Sequence, residues 1–315
     1  ETLVVGKEYA ITTYNIGFGA YNHDFSFFMD QGKMLSGEKV KGKLSKATSK
    51  EIVLTNTRGA IEEITAFNPD FAFFQEVDTN STRSFQVNQF KMLQESLAKM
   101  ASVHVSNFHS AYLFYPILDP HGVVNSGIAT FSKYKIDKVI RKSLEITDAF
   151  PSKFFDLDRC FSASYLKTNH DNYLVIVNVH LSAYDKGGVY RKKQLQQLNS
   201  FLEVEYQKGN YVVCGGDFNH DIANSMYVFE TKQEKPEWVY ALNNDDLNEN
   251  FSFATNNNIP TCRSTDMPYE KNVNYTVVLD GFIVSKNVDV IMVENVDTNF
   301  EYSDHNPVYM KFVLK

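Results

Sequence analysis

At 315 residues, with 43% hydrophobic and 22% charged content, the chain has ordinary globular composition and sits near the upper size for one hydrophobic core. A formal net charge of −7 argues against a surface built for duplex DNA, where phosphate neutralisation supplies most of the affinity, although a local basic groove is compatible with it. No run approaches the roughly 18 apolar residues that a membrane-spanning helix needs.

In chain order, Tyr9–Ile16 (YAITTYNI) is rich in β-branched and aromatic residues and reads as a strand. Residues Gly32–Ser49 are polar, Lys- and Gly-rich and aperiodic, and are expected to form an exposed insertion. A helix follows from about Ser49 to Phe67, with Ile61, Ile64 and Phe67 at helical spacing, until Asn68-Pro69-Asp70 stops it. Phe71–Val77 (FAFFQEV) is an apolar strand, and Gln89–Ala101 reads as helical. Strands are then expected at Ala111–Leu118, Gly127–Ser132, Ile136–Ile140, Cys160–Lys167 and Tyr173–Leu181. Tyr190–Tyr206 is the clearest later helix, with Leu195, Leu198, Phe201 and Leu202 on one face. The strand Val212–Cys214 and those at Val277–Ser285, Val288–Val293 and Pro307–Leu314 complete the set.

Strands outnumber helices, so the expected architecture is an α/β fold of antiparallel or mixed sheets covered by helices. No repeat or long Pro/Gly/Ser linker interrupts the chain, which predicts a single domain over residues 1–315, acting as a monomer. Cys160, Cys214 and Cys262 lie far apart without CxxC spacing and read as small buried hydrophobes.

Several strand ends share one pattern: an apolar run that terminates in an oxygen ligand or a histidine. They are Asn15 after ITTY, Glu76 after FAFFQ, His180 after LVIVNV, and Asp217 with Asn219 in VVCGGDFN. Asp280 in VVLDGF and Asp304-His305 ahead of NPVYMKF extend the series. Each alone has a plain explanation, as a turn residue, a solvent-facing acid or a satisfied interior histidine. Together, strand ends that converge on one rim place polar groups around a cleft. Oxygen ligands suit Mg²⁺, imidazoles suit a phosphoryl oxyanion or a leaving oxygen, and an acid such as Asp280 would orient an imidazole such as His305.

The ordered motifs TYNI (13–16), QEV (75–77), NVHLSAYD (178–185), GGDFN (215–219), LDGFIVS (279–285) and YSDHNPV (302–308) resemble the endonuclease/exonuclease/phosphatase superfamily, the DNase I-like fold. The resemblance covers almost the whole chain, and GGDFN followed by SDHNPV is its specific pair. It implies a four-layer α/β sandwich, two mixed sheets face to face with helices outside. It also implies an Mg²⁺-dependent phosphoesterase, with Mn²⁺ as a substitute, in which Glu76 is the main metal ligand assisted by Asn15 and Asp304. Asp217 would orient or deprotonate the attacking water beside Asn219, while His180 and His305 contact the scissile phosphate and Asp280 holds His305. Asn125 falls where some relatives carry a phosphate-contacting residue. Arg159 would touch phosphate or pair with Asp156 or Asp158, and Asp185 would brace His180 or stand as a loop acid. The resemblance leaves open whether one or two metals operate.

Substrate is a weaker inference. The HLSAYD segment is similar to the sphingomyelinase-like side of the superfamily, which points to a small or lipid-like phosphoester; a nuclease and a catalytically silent binding module are the alternatives. In detail the chain resembles the bacterial RgfB-like branch, whose members often carry an N-terminal membrane anchor. An extracytoplasmic or membrane-anchored location with the leader removed is therefore favoured over a cytoplasmic one. Gly215-Gly216 are expected to let the chain pass close to metal or phosphate, Phe218 to turn into packing, and His220 and Asp221 to be turn residues.

Overall fold

The structure, a computed structural model, describes residues 2–146, 158–183 and 189–315. Two six-stranded sheets dominate it. The first contains β1 (Glu8–Asn15), β4 (Phe71–Asp78), β5 (Ala101–Leu113), β6 (Gly122–Ser132), β15 (Val288–Asn295) and β16 (Val308–Leu314), in the order β15-β16-β1-β4-β6-β5. The second contains β7 (Lys138–Ser143), β8 (Cys160–Lys167), β9 (Tyr173–His180), β10 (Tyr211–Asp217), β11 (Phe251–Ala254) and β14 (Asp280–Ser285), in the order β11-β14-β10-β9-β8-β7. Both are mixed: β1 with β4 and β9 with β10 are parallel, and the other pairs are antiparallel.

Period-two alternation explains the layers. Tyr9, Ile11, Phe71 and Phe73 face Leu174, Ile176, Tyr211, Val213, Phe282 and Val284 in a core between the sheets. The alternate residues point outward. On the first sheet Tyr14, Ala72 and Phe74 meet Ala60, Ile61 and Ile64 of α1 (Lys50–Ala66), and Leu93 of α2 (Gln89–Ser96) joins the same cluster. On the second, Val175, Val177, Val212 and Cys214 meet Leu195, Leu198 and Leu202 of α3 (Val189–Gln207). This is the four-layer α/β sandwich expected from the motifs.

Local signals account for the element limits. Ser49 caps α1 by accepting the Ile52 N–H at 3.1 Å, and Asn68 adopts a left-handed conformation just past its end, ahead of Pro69. The segment read as an aperiodic insertion is more ordered than expected: β2 (Gln31–Lys33) and β3 (Lys39–Lys41) form an antiparallel ribbon. The strand expected at Ala111–Leu118 ends at Leu113, and the apolar residues after it form a loop. The single strand expected over Val277–Ser285 divides into β13 (Thr276–Val277), which pairs with β12 (Cys262–Arg263), and β14. No helix among the described residues is long and apolar enough to cross a membrane.

Candidate active site

The parallel pairing of β9 with β10 places His180 opposite Asp217, and the antiparallel pairing of β10 with β14 places Asp280 on the other side of Asp217. Alternation directs all three into the space between the sheets, because Ile176, Val213 and Phe282 at even spacing from them face the inner core. Across that space, Asn15 ends β1 on the same inward register as Tyr9 and Ile11.

Glu76 reaches the site by a different device. Phe74 pairs with Ala129 and Val77 with Gly127, so Gln75 and Glu76 together oppose one residue, a β-bulge. Regular alternation would send Glu76 outward with Phe74. The bulge, with Glu76 at φ +53°, turns it inward beside Asn15. Gln75 is also inward: its Nε2 donates to Asn178 Oδ1 at 2.8 Å and to Thr13 Oγ1 at 3.0 Å, bridging the two sheets beneath the site. Gln75 and Asn178 lie inside the motifs QEV and NVHLSAYD, where nothing in the sequence alone marks this bridging role.

These residues converge on Asp217. Its Oδ2 accepts from Asn15 Nδ2 at 3.0 Å and stands 3.5 Å from both His180 Nε2 and His305 Nε2. Its Oδ1 accepts the Asn219 N–H at 2.8 Å. Asn219, left-handed at φ +49°, donates its amide to the Leu181 carbonyl at 2.6 Å and so ties the loop after β10 to the loop after β9. Glu76 Oε1 accepts from Asn15 Nδ2 at 3.3 Å and lies 4.0 Å from His180 Nε2. His305 Nδ1 donates to Asp280 Oδ2 at 2.8 Å. Ser303, which hydrogen-bonds the Asn15 carbonyl at 2.7 Å and Asp304 Oδ1 at 3.3 Å, fastens the Asp304-His305 segment to the end of β1.

The electrostatics divide the two imidazoles. Burial pushes His180 well below its ordinary pKa, and the positive charges of Arg159, His305 and Arg83 push the same way, so it is neutral. Burial also disfavours a charged His305, but Asp280 first, then Cys262, Asp217 and Asp304, outweigh it and hold His305 well above the ordinary value. Burial raises Asp217 to about 6 against the opposing His305 charge. Burial and then the neighbouring Asp304 carboxylate raise Glu76 to about 7.

That elevation tests the fit of a divalent metal. Glu76 has no Lys or Arg ion-pair partner among the described residues, and a second carboxylate raises its pKa further. An oxygen-rich set of Glu76, Asp304 and Asn15, with no Lys or Arg ion pair among the described residues, is the donor chemistry of a hard divalent ion. Asn15 here turns its Nδ2 to the carboxylates, while its Oδ1 accepts the Gly17 N–H at 3.0 Å. A neighbouring group also qualifies by proximity: ligand atoms of Asp217, Asp280 and His305 lie within 4.8 Å of one another, although the His305–Asp280 bond already joins two of them.

The site opens into a cleft. Arg159 lines it, buried. Arg83 and Arg263, which the sequence reading did not single out, line it too. Arg83 forms a bidentate pair with Asp78 at 3.0 and 2.9 Å and lies 3.8 Å from the Phe18 ring centre. Arg263 donates to backbone carbonyls of Ser264, Tyr21 and Asn22 and has no ion pair among the described residues. Arg263 lies in the segment Thr261–Tyr269 that the sequence places at the rim, whereas Arg83 is marked only by its position around the folded cleft. Asn125 stands apart: its amide donates to the Asn80 carbonyl at 2.7 Å, and its neighbour Ser126 lines the cleft. Asp185 and Asp156 lie outside the described residues.

In the stretch around Asp217, Phe218 is buried beneath α3 and His220 hydrogen-bonds the Phe218 carbonyl at 2.7 Å. Asp221 accepts the Ser225 and Met226 N–H groups at 2.7 and 2.8 Å, a turn role. The two glycines serve strand packing. A Cβ on Gly216 (φ +146°) would lie 1.9 Å from the Val179 carbonyl oxygen, and one on Gly215 would lie 2.5 Å from the Phe282 ring.

A sequence model of the endonuclease/exonuclease/phosphatase family matches residues 12–305, a span that contains every strand end described above. The chain belongs to that family. Members of this family hydrolyse phosphoester bonds and generally depend on a divalent metal. An inositol phosphosphingolipids phospholipase C of Schizosaccharomyces pombe is 24% identical over 245 residues, 68% of this chain and 58% of that protein's length. Among solved structures, an endonuclease/exonuclease/phosphatase from Beutenbergia cavernae has a TM-score of 0.60 at 14% identity, over 98% of this chain and 72% of the other. D. rerio TDP2, complexed with a single-strand DNA product, has a TM-score of 0.59 at 13% identity, over 97% of this chain and 99% of the other.

Proposed function

We propose that this chain is an Mg²⁺-dependent phosphoesterase that hydrolyses a small or lipid-like phosphoester by in-line attack of water. One observation carries the reading: a neutral His180 and a cationic His305 both stand 3.5 Å from the same Asp217 oxygen, beside the oxygen donors Glu76, Asp304 and Asn15. In this reading Glu76, Asn15 and Asp304 hold the ion, which when bound neutralises phosphate charge. Asp217 takes the proton of the attacking water at Oδ2, a task its elevated pKa suits. His305, kept cationic by Asp280, stabilises the developing charge on the phosphoryl oxygens. His180 offers an Nε2–H, which its two facing carboxylates favour over Nδ1–H. Asn219 orients Asp217, and Arg159 adds positive potential behind His180.

A lipid-like substrate is supported by the similarity to the S. pombe phospholipase C. It is supported too by a cleft lined by Arg83, Arg159 and Arg263 against five carboxylates, a poor cradle for a polyanionic duplex. The deciding experiment compares hydrolysis of an inositol phosphosphingolipid, sphingomyelin, bis-p-nitrophenyl phosphate and plasmid DNA, each with Mg²⁺ and with EDTA. Headgroup release from a lipid, abolished by EDTA, is the expected result. Plasmid nicking at low enzyme concentration with no lipid hydrolysis would instead identify a nuclease.

A further inference from the structure

Beside the cleft the usual partition of polarity is reversed. Hairpin connections are ordinarily polar, but the loop joining β5 to β6 reads FYPILDPH. Phe114 is 74% exposed, Ile117 84% and Leu118 99%, with Tyr112 and Tyr115 exposed next to them. Single exposed apolar residues are normal; a contiguous tip of them marks an interaction surface. The base of this tip is fixed. The Tyr115 ring lies 5.6 Å from Phe28, and His121, which lines the cleft, hydrogen-bonds the Ser45 carbonyl through Nδ1 at 2.6 Å.

A second observation, of charge, concerns the segment bonded to that base. Residues 31–50 contain Lys33, Lys39, Lys41, Lys43, Lys46 and Lys50 against Glu38 alone, in a chain whose net charge is −7. Lys39, Lys41 and Lys43 are exposed and form no ion pair among the described residues, and Lys39 and Lys41, two apart on β3, share a face. Ser45 Oγ donates to the Asp119 carbonyl at 2.6 Å and Lys46 pairs with the Asp119 carboxylate at 2.6 Å, so ribbon and apolar loop form one rim.

We propose that this rim docks on an anionic lipid bilayer, with Phe114, Ile117 and Leu118 entering the interfacial layer and the ribbon lysines meeting anionic headgroups. Apolar side chains beside a basic stripe are the combination that holds peripheral proteins at such surfaces. The cleft then opens beside the membrane. A two-fold contact between copies of the chain is disfavoured, because it would bring the lysine clusters together. Single-stranded nucleic acid is a poorer fit, because the most exposed members, Ile117 and Leu118, offer no ring on which a base can stack. Docking does not depend on which phosphoester is cleaved, and it is measured without turnover.

The test is co-sedimentation of the full chain with vesicles of phosphatidylglycerol and phosphatidylcholine, and with phosphatidylcholine alone. Phe114→Ser/Ile117→Ser/Leu118→Ser is expected to lower partition onto the mixed vesicles roughly tenfold or more. Lys39→Glu/Lys41→Glu/Lys43→Glu is expected to lose a similar factor on the mixed vesicles and little on neutral ones. Both should keep the wild-type melting temperature and wild-type turnover of bis-p-nitrophenyl phosphate. If the wild type does not turn over that ester, the proposed chemistry fails while the vesicle result still decides docking. Wild-type protein that stays in the supernatant, or a loop variant that sediments as the wild type does, overturns the proposal. So does loop-dependent dimerisation or single-stranded DNA binding without vesicle binding.

Discussion

The two sheets contribute to the site by opposite means. The second sheet delivers His180, Asp217 and Asp280 through unbroken ladders, each side chain aimed by plain alternation from the core residues behind it. The first sheet delivers Glu76 only through a bulge and a left-handed residue, a conformation that costs of order 1–3 kcal/mol wherever it is held. His180, Asp217 and Asp280 rest on the regular, tightly paired lattice, whereas His305 sits in the segment before β16 that Ser303 fastens to the end of β1. Of the residues assigned to cation binding, Asn15 follows plain alternation and Glu76 rests on the strained bulge.

The largest effects should come from removing the residues assigned to proton handling and charge. His305→Ala, Asp217→Ala and His180→Ala are each expected to lower kcat roughly 10³-fold or more, with melting temperatures close to wild type. Steady-state kinetics on a soluble diester checks this, and near-wild-type rates in all three would dissolve the assignment. Breaking the strained half should look different. Glu76→Gln keeps the shape but removes the charge, so the Mg²⁺ concentration for half-maximal turnover should rise at least roughly 10–100-fold, the cost even of losing an outer-shell partner. Titration of activity with Mg²⁺ distinguishes the two classes. A wild-type enzyme indifferent to EDTA would remove the basis for the contrast.

The same contrast explains what was legible beforehand. Asn15, His180, Asp217 and Asp280 end or begin apolar runs with period two, so both their rim and their face follow from the pattern once the runs are taken as strands. Glu76 was found by its motif, although its alternation with Phe73 and Phe74 points the wrong way, because a bulge has no local spelling in FAFFQEV. The segment Thr261–Tyr269 (TCRSTDMPY), expected from sequence to flank the rim, does line the cleft through Arg263, whereas Arg83 belongs to a connection whose course depends on tertiary packing and that nothing nearby in sequence announces. The β2–β3 ribbon was missed for a related reason: both strands are short and charged, and they pair without an apolar face. For the glycines of GGD, a motif usually associated with ligand approach proved to be spaced for strand packing.

Gly216 therefore gives a sharper test of the regular half. Its Cβ position is occupied by backbone, the Val179 carbonyl oxygen, and its φ of +146° disfavours any side chain. Gly216→Ala should destabilise by roughly 1–3 kcal/mol in denaturant melts and displace Asp217 from His180, lowering kcat as well. At Gly215 the obstruction is the movable Phe282 ring, so Gly215→Ala should cost less. Equal costs at the two positions would mean that the β9–β10 spacing does not set the site.

An effect on stability alone, not on turnover, belongs to the first sheet's edge of the cleft, at His121. Burial first, then the Arg83 charge, depress its pKa from 6.5 to about 4. The unfolded chain takes up a proton below pH 6.5, while the folded His121 stays neutral almost to 4. The unfolded state thus binds more protons in that window. The contribution is complete above 6.5 and is lost as the pH falls through 4. Between about pH 7.5 and about pH 5 the wild type should lose about 2 kcal/mol more stability than His121→Gln, which has nothing to titrate there. Urea melts of both proteins at the two pH values give the difference directly. Parallel pH dependence of wild type and variant would show that His121 titrates equally in both states, and that this edge of the cleft is open to water rather than held shut by the Ser45 bond.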